Sequence, residues 1–217
     1  MLRSITVVVF SFCLMPQALL AGTAMKYSIK TEWDGTVLKH APIEITLSWN
    51  QSDDFLTATF EGPFFDDPPA PSGPPGKPFP KLWDYEVAEI FFLAPNNQYL
   101  EVEVSPHGQH LLLLLNGTRN AIKDELPMHY TATISTQQKT WQGTAQIPLS
   151  YLPHGVSKMN AYAIHGSGDQ RVYESLYPVP KVKYTQPDFH RLDYFQDFQI
   201  TDIVKDTSSI GKYWDNL

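Results

Sequence analysis

The chain has 217 residues, 42% hydrophobic, with 12 Phe, 11 Tyr and 5 Trp, enough apolar material for one domain with a full core. Its formal net charge of −7 offers no basic face to a phosphate backbone, so nucleic acid is not an expected partner. The single cysteine, Cys13, sits near the amino end, which leaves the rest of the chain without thiolate catalysis or cysteine metal sites.

Residues 1–24 open with Arg3, continue in an apolar run from Ile5 to Met15 and end in small residues at Ala21, Gly22 and Ala24. That is the layout of a secretory signal peptide, although Pro16 interrupts the run, and it is too short and broken for a membrane span. Secretion is therefore expected, with a cytoplasmic protein the alternative if translation effectively starts at Met25. Two sequons, at Asn50 and Asn116, fall at strand ends where glycans are tolerated.

The folded domain is expected over residues 25–204. Strands are expected at residues 27–33, at 43–49 (Ile43, Ile45, Leu47 and Trp49 alternating with polar residues) and at 55–61. Residues 62–81, GPFFDDPPAPSGPPGKPFPK, carry eight of the 18 prolines and can be neither helix nor central strand. This proline-rich loop reads either as a wall pinned to the domain by Phe64, Phe65 and Phe79, the favoured reading, or as a polyproline ligand for a partner. Residues 82–117 then hold three strands in an antiparallel meander. The first, 85–93, is apolar on both parities, with Glu89 among Val87, Phe91 and Leu93. The second alternates, Leu100, Val102 and Val104 inward against Tyr99, Glu101 and Glu103 outward. Further strands are expected at 129–136, 141–147, 159–165 and 171–177, and a last aromatic one within 187–200. Residues 205–217 read as a loose polar tail that only Trp214 would dock. The sum is about ten strands and no amphipathic helix: an all-β, antiparallel sandwich, expected to be monomeric.

The runs WDYEVAEIFFL, YLEVEVSPHG and WQGTAQIPLSYL are similar to the signature of family 9 carbohydrate-binding modules. The chain from TEWDG through the proline loop, SPHGQH, AIHGS, YESLYPVP and PDFH more closely resembles the uncharacterised chromosome 4 open reading frame 33 proteins. The resemblance implies a β-sandwich, a fold that many kinds of binder share. Tyr177 matches a place where the modules often have an aromatic residue, Glu89 belongs to their acidic signature, and His165 stands near where they often carry arginine.

No catalytic motif occurs, and neither a cofactor nor a metal is assigned. Glu101 and Glu103, about 7 Å apart on one strand face, read as a solvated pair rather than a glycosidase pair. The favoured function is non-catalytic binding of a carbohydrate or similar polar ligand at a rim formed by Trp83, Asp84, Glu89, His107, His165 and Tyr177. The alternatives are a metal-assisted hydrolase built on His107, His110, His165 and His190, and a protein-interaction module that presents the proline loop.

Overall fold

The structure is a computed structural model that describes residues 24–217; the expected signal peptide lies, but for Ala24, outside the described residues. In chain order the strands are β1 (Met25–Ile29), β2 (Thr31–Glu32), β3 (Ile43–Ser48), β4 (Phe55–Pro63), β5 (Val87–Leu93), β6 (Gln98–Val104) and β7 (His110–Asn116). They continue with β8 (Ala121–Lys123), β9 (His129–Ser135), β10 (Thr140–Pro148), β11 (Lys158–His165), β12 (Val172–Ser175) and β13 (Gln196–Asp197). All named pairings are antiparallel: one sheet runs β1-β3-β4-β10-β9, the other β2-β12-β11-β5-β6-β7-β8, with β13 also paired to β11. This is the expected sandwich, with 13 strands among the described residues rather than about ten. The strand expected at 27–33 is split into β1 and the two-residue β2, and β8, three residues long, is an addition too short to show a period in sequence. Among the described residues no helix is long and apolar enough to cross a membrane.

The main core lies between the sheets, where Ile45, Leu47 and Phe60 meet Ala88, Ile90, Phe92, Leu100, Val102, Leu112 and Leu114. The parities expected for β5 and β6 are the ones observed. A second core covers the opposite face of the larger sheet, formed by Phe91, Leu93, Tyr99, Leu111, Leu113, Leu115, Tyr162 and Ile164 with Leu82, Phe189 and Phe195 above them. That cover overturns the solvated reading of Glu101 and Glu103, which are 4% and 0% exposed. Their faces point outward from the sandwich, but chain segments distant in sequence lie over them.

Part of the cover is the proline loop. Gly76 and Phe79 donate backbone hydrogen bonds to the carbonyls of Gly108 and His110 at 2.8 and 2.9 Å, and Gly166 donates to that of Asp67 at 2.7 Å. Gly108 has φ +95°, and a Cβ there would lie 2.9 Å from Pro75, so the turn and the loop fit only with glycine at this position. Backbone hydrogen bonds thus hold the loop against the β6–β7 turn and against Gly166. The strand expected within 187–200 is reduced to the two residues of β13. The other part of the cover is the segment before it, residues 187–195, which is irregular with a short 3-10 turn at Leu192–Tyr194. Its Phe189 stacks on Tyr162, centroids 4.0 Å apart, so the aromatic residues serve packing rather than a ladder.

Residues 205–217 are docked, not loose. Ile210 and Trp214 are buried in the main core, and Trp214 Nε1 donates to the Tyr151 carbonyl at 2.9 Å. Polar composition hid this because two apolar anchors suffice for a short tail. Trp49 and Trp141 are buried in the core, and Trp33 is half-buried beneath the Arg191 guanidinium. Trp214→Ala is expected to cost about 3–5 kcal/mol in urea unfolding; a loss within about 0.5 kcal/mol, typical of surface changes, would show that the tail does not support the core.

Candidate functional site

A cavity of about 320 Å³ opens on the outer face of the eight-stranded sheet. Its floor crosses the sheet: Tyr173 on β12, Ile164 on β11, Glu89 on β5, Glu101 on β6, Leu113 and Leu115 on β7. The register explains the row, since Ile164 pairs with Tyr173, Tyr162 with Glu89, and Glu101 with Leu113. Trp83, Arg119 and the segment from Pro187 to His190 form the walls. Trp83 belongs to the short 3-10 turn Leu82–Asp84 that follows the proline loop. Arg171 holds this turn by donating to the carbonyls of Trp83 and Asp84, and the Trp83 side of the wall stays 39% exposed.

A hydrogen-bonded chain fixes the opposite wall. The Arg119 backbone N–H donates to Tyr99 Oη at 3.0 Å, and Tyr99 Oη lies 2.8 Å from His190 Nδ1. With the Tyr99 hydroxyl donating onward, His190 carries its proton on Nε2, which points at Glu101 Oε2 from 4.0 Å. Arg119 Nη2 donates to Asp188 Oδ1 at 2.7 Å, and the same oxygen accepts from the His190 N–H at 3.0 Å. Burial lowers the His190 pKa to about 4, and the Arg119 charge adds to the effect, so the ring is neutral near pH 7.

Glu89, Glu101 and Glu103 form one buried carboxyl group cluster, with Glu89 directly opposite Glu103 across the β5–β6 ladder. Burial raises all three, Glu101 to about 8 and the others well above the usual carboxylate range. For Glu103 the neighbouring Glu89 and Glu101 charges add to burial, whereas Arg171 opposes the rise at Glu89 and Arg119 that at Glu101. Near neutral pH the cluster therefore holds protons and presents O–H donors as well as acceptors. Glu101 Oε2 and both Glu103 oxygens have no hydrogen-bond partner within the protein. A buried polar atom left alone costs about 1–3 kcal/mol, so the Glu101 carboxyl on the cavity floor is a costly group to bury there.

Of the residues expected to form one rim, only Trp83 and Glu89 line this cavity. Asp84 is exposed beside Trp83, its carbonyl on Arg171. His107 lies in the β6–β7 turn against Phe64 and 3.9 Å from Asp66. Tyr177 is bonded through its backbone to Asn160 and flanks a separate small void with Trp33. The rim is thus divided, because the proline loop and residues 187–191 run between its parts. His107, His110, His165 and His190 do not converge either, so the four-histidine centre is not formed. His165 instead meets two residues that the sequence did not bring forward, His40 and Glu174; their Nε2 and carboxylate atoms lie within 4.8 Å of one another. Sequence reasoning also passed over Arg119 and Tyr99. One pointer to the buried Glu101 was present: both neighbours of β6 are apolar on both parities, so the strand between them cannot have one face in water.

Comparison with known proteins gives a consistent picture. No family model matches the chain. A Danio rerio protein, the UPF0462 protein C4orf33 homolog, is 53% identical over 184 residues, covering 83% of this chain and 91% of the relative. The human UPF0462 protein C4orf33 is 50% identical over 184 residues, covering 83% and 90%. Among solved structures, a Bacteroides uniformis protein described as a "putative carbohydrate-binding protein" superposes with a TM-score of 0.56 at 13% identity, covering 81% of this chain and 86% of that one. That likeness concerns the fold.

The raised carboxyl groups make stability depend on pH with a definite sign. An acid whose folded pKa is raised contributes fully below its unfolded value, about 4.3 for Glu, and loses that contribution as pH rises toward its folded value, about 8 for Glu101. The buried His110 and His190, both lowered to about 4, act in the opposite direction below pH ~6.5. Above that point the carboxyl groups dominate. The melting temperature is expected to fall between pH ~6.5 and ~8.5, and to fall less in Glu101→Gln. Identical pH profiles for the two proteins would mean that Glu101 is ionised throughout.

Proposed function

The chain belongs to the UPF0462 (C4orf33) family, and for it we propose non-catalytic binding of a carbohydrate or similar polyhydroxylated ligand in the cavity between Trp83 and His190. The observation that carries this reading is the floor itself: buried carboxyl groups, Glu89 and Glu101, set in a lining that is otherwise mostly apolar. Pockets for small polar ligands are built this way, with apolar walls for bulk and a few placed polar groups for orientation. A ligand hydroxyl between His190 Nε2 and Glu101 Oε2, 4.0 Å apart, accepts from one and donates to the other. A protonated Glu101 keeps an accepting oxygen and adds an O–H donor, so beside the His190 N–H the site suits a group that both gives and takes a hydrogen bond.

The half-exposed Trp83 ring supplies an apolar plate at the mouth, and Arg119 a charged donor on the opposite wall. The chemistry favours binding over hydrolysis. Glu89, Glu101 and Glu103 are all raised together, and the lining carboxylate held low, Asp188, is occupied by the Arg119 guanidinium and the His190 N–H rather than free to act on a substrate. The description of the Bacteroides uniformis neighbour agrees with this class of ligand.

A glycan array followed by calorimetry tests the reading. Trp83→Ala and Glu101→Gln are each expected to weaken binding at least tenfold, about 1.4 kcal/mol. For Trp83→Ala the fold should lose no more than about 0.5 kcal/mol. Retention of no glycan by the unmodified protein would remove the proposal, and undiminished binding by both variants would move the site out of this cavity.

A further inference from the structure

We infer that His40, His165 and Glu174 form a binding site for a divalent transition metal, with Zn²⁺ the best-suited ion. The three come from separate parts of the chain: His40 from the loop between β2 and β3, His165 from the end of β11, Glu174 from β12. Glu174 Oε1 is 3.1 Å from His165 Nε2 and 3.5 Å from His40 Nε2. Donors sharing one tetrahedral ion at bond lengths of about 2.0–2.2 Å stand roughly 3.3–3.6 Å apart, close to these separations.

The hydrogen bonding shows what the cluster lacks. The Glu174 side chain has no exposed surface, and neither of its oxygens has a hydrogen-bond partner. His40 Nε2 and His165 Nε2 are buried atoms without partners as well. His40 Nδ1 lies 2.9 Å from the Ala41 carbonyl, which accepts but cannot donate, so Nδ1 carries the proton. In the neutral ring this leaves the Nε2 lone pair facing the carboxylate. Orientation of a ligand imidazole by a backbone carbonyl in this manner is the usual outer-shell arrangement at metal centres. Lone pairs converging on a buried carboxylate repel, and doubly protonated imidazoles would place two cations side by side. A single divalent cation satisfies all three groups.

The surroundings hold these side chains in place. Phe65 stacks on His165 with centroids 3.6 Å apart and planes 4° from parallel, and meets His40 edge-on at 5.0 Å. Glu86 fixes Phe65 in turn, its carboxylate accepting from the Phe65 and Asp66 N–H groups at 3.1 and 2.9 Å. Beside His165 and Glu174 a void of about 10 Å³ remains, about the space one water fills. Three protein ligands leave one position of a tetrahedral ion for a water. His40, 23% exposed in its side chain, gives the ion a route in. Two imidazoles with one carboxylate suit Zn²⁺, with Fe²⁺, Co²⁺ and Ni²⁺ as competitors, and suit Ca²⁺ and Mg²⁺ poorly.

The test is a titration of the purified full chain, stripped with chelator, with Zn²⁺ by calorimetry and with Co²⁺ by visible absorption. One equivalent is expected, with intense tetrahedral Co²⁺ bands and a higher melting temperature in Zn²⁺. His40→Ala, His165→Ala and Glu174→Gln should each weaken binding by more than the ~10–100-fold typical of outer-shell changes. His154→Ala, at a surface histidine paired with Asp215, should bind as before. His40 is partly exposed, so its variant keeps the decision open to measurement if a change at the buried Glu174 prevents folding. Failure of the unmodified chain to bind either ion would overturn the proposal, as would binding unchanged in both histidine variants or lost equally in His154→Ala.

Discussion

The central strands of the larger sheet are buried on both faces, and the rest of the architecture answers to that constraint. Its inner face needs only the smaller sheet, which supplies a conventional sandwich core. Its outer face carries Phe91, Tyr99, Leu111, Leu113, Leu115, Tyr162 and Ile164, far too much apolar surface to leave in water. Among the described residues no third sheet or α-helix covers it. The proline loop and residues 187–195 do so instead, and irregular segments cannot tile a surface as evenly as a sheet can. The gap between them is the cavity. The same cover that creates the cavity removes water from Glu89, Glu101 and Glu103, so the hollow and its unusual acid chemistry have one cause.

Irregular cover has to be held rigidly to leave a defined gap, and the sequence invests in this. Eight prolines limit the conformations of residues 62–81 before any contact forms. Backbone hydrogen bonds then pin the loop along β7 and to Gly166. On the other side, Asp188 receives both the Arg119 guanidinium and the His190 N–H, tying the 187–191 segment to the β7–β8 connection. The walls thus rest on side-chain and backbone bonds in place of a ladder.

The parts of this that sequence reveals are those with a short period. Alternation in β3, β5 and β6 fixed which side chains share a face, and those faces are the ones observed. Whether a face meets water is a different question, answered by segments nearly a hundred residues away. Hence β6, which reads as half-solvated, is buried on both sides, while Glu89, lodged in an apolar strand, was legible as buried from its neighbours alone. The cavity was half legible: Trp83 and Glu89 stood out, but Arg119 and Tyr99 are ordinary residues until the β7–β8 hairpin and residues 187–190 bring them to His190. His40 had no motif around it, and Glu174 sits in a short strand whose partner β2 has two residues. Their meeting with His165 is a tertiary fact with no local signature.

The two candidate sites are built from the same backbone. Along β11, Ile164 faces the cavity and His165 the opposite side; along β12, Tyr173 faces the cavity and Glu174 the opposite side. Successive residues of a strand must point to opposite faces, so this end of the sheet serves a hollow on one face and a cluster of donors on the other. Arg171, at the entry to β12, holds the Trp83 turn as well. The stretch 171–174 therefore sets Trp83, Tyr173 and Glu174 together. β12 itself is short and lies toward the sheet edge, paired only to β11 and the two-residue β2. A bond through an ion from Glu174 to His165 would fasten β12 to β11 at the point where their ladder ends, and to the loop that carries His40. Its effect would reach the cavity through the backbone of β12, because a strand that cannot shift holds Tyr173 and the Arg171 contact to Trp83 in register. The carboxyl cluster has no such brace; its position comes from β5 and β6, central strands paired on both sides. The floor of the cavity is thus rigid by topology, whereas the Trp83 side of its wall depends on how firmly one four-residue strand is held.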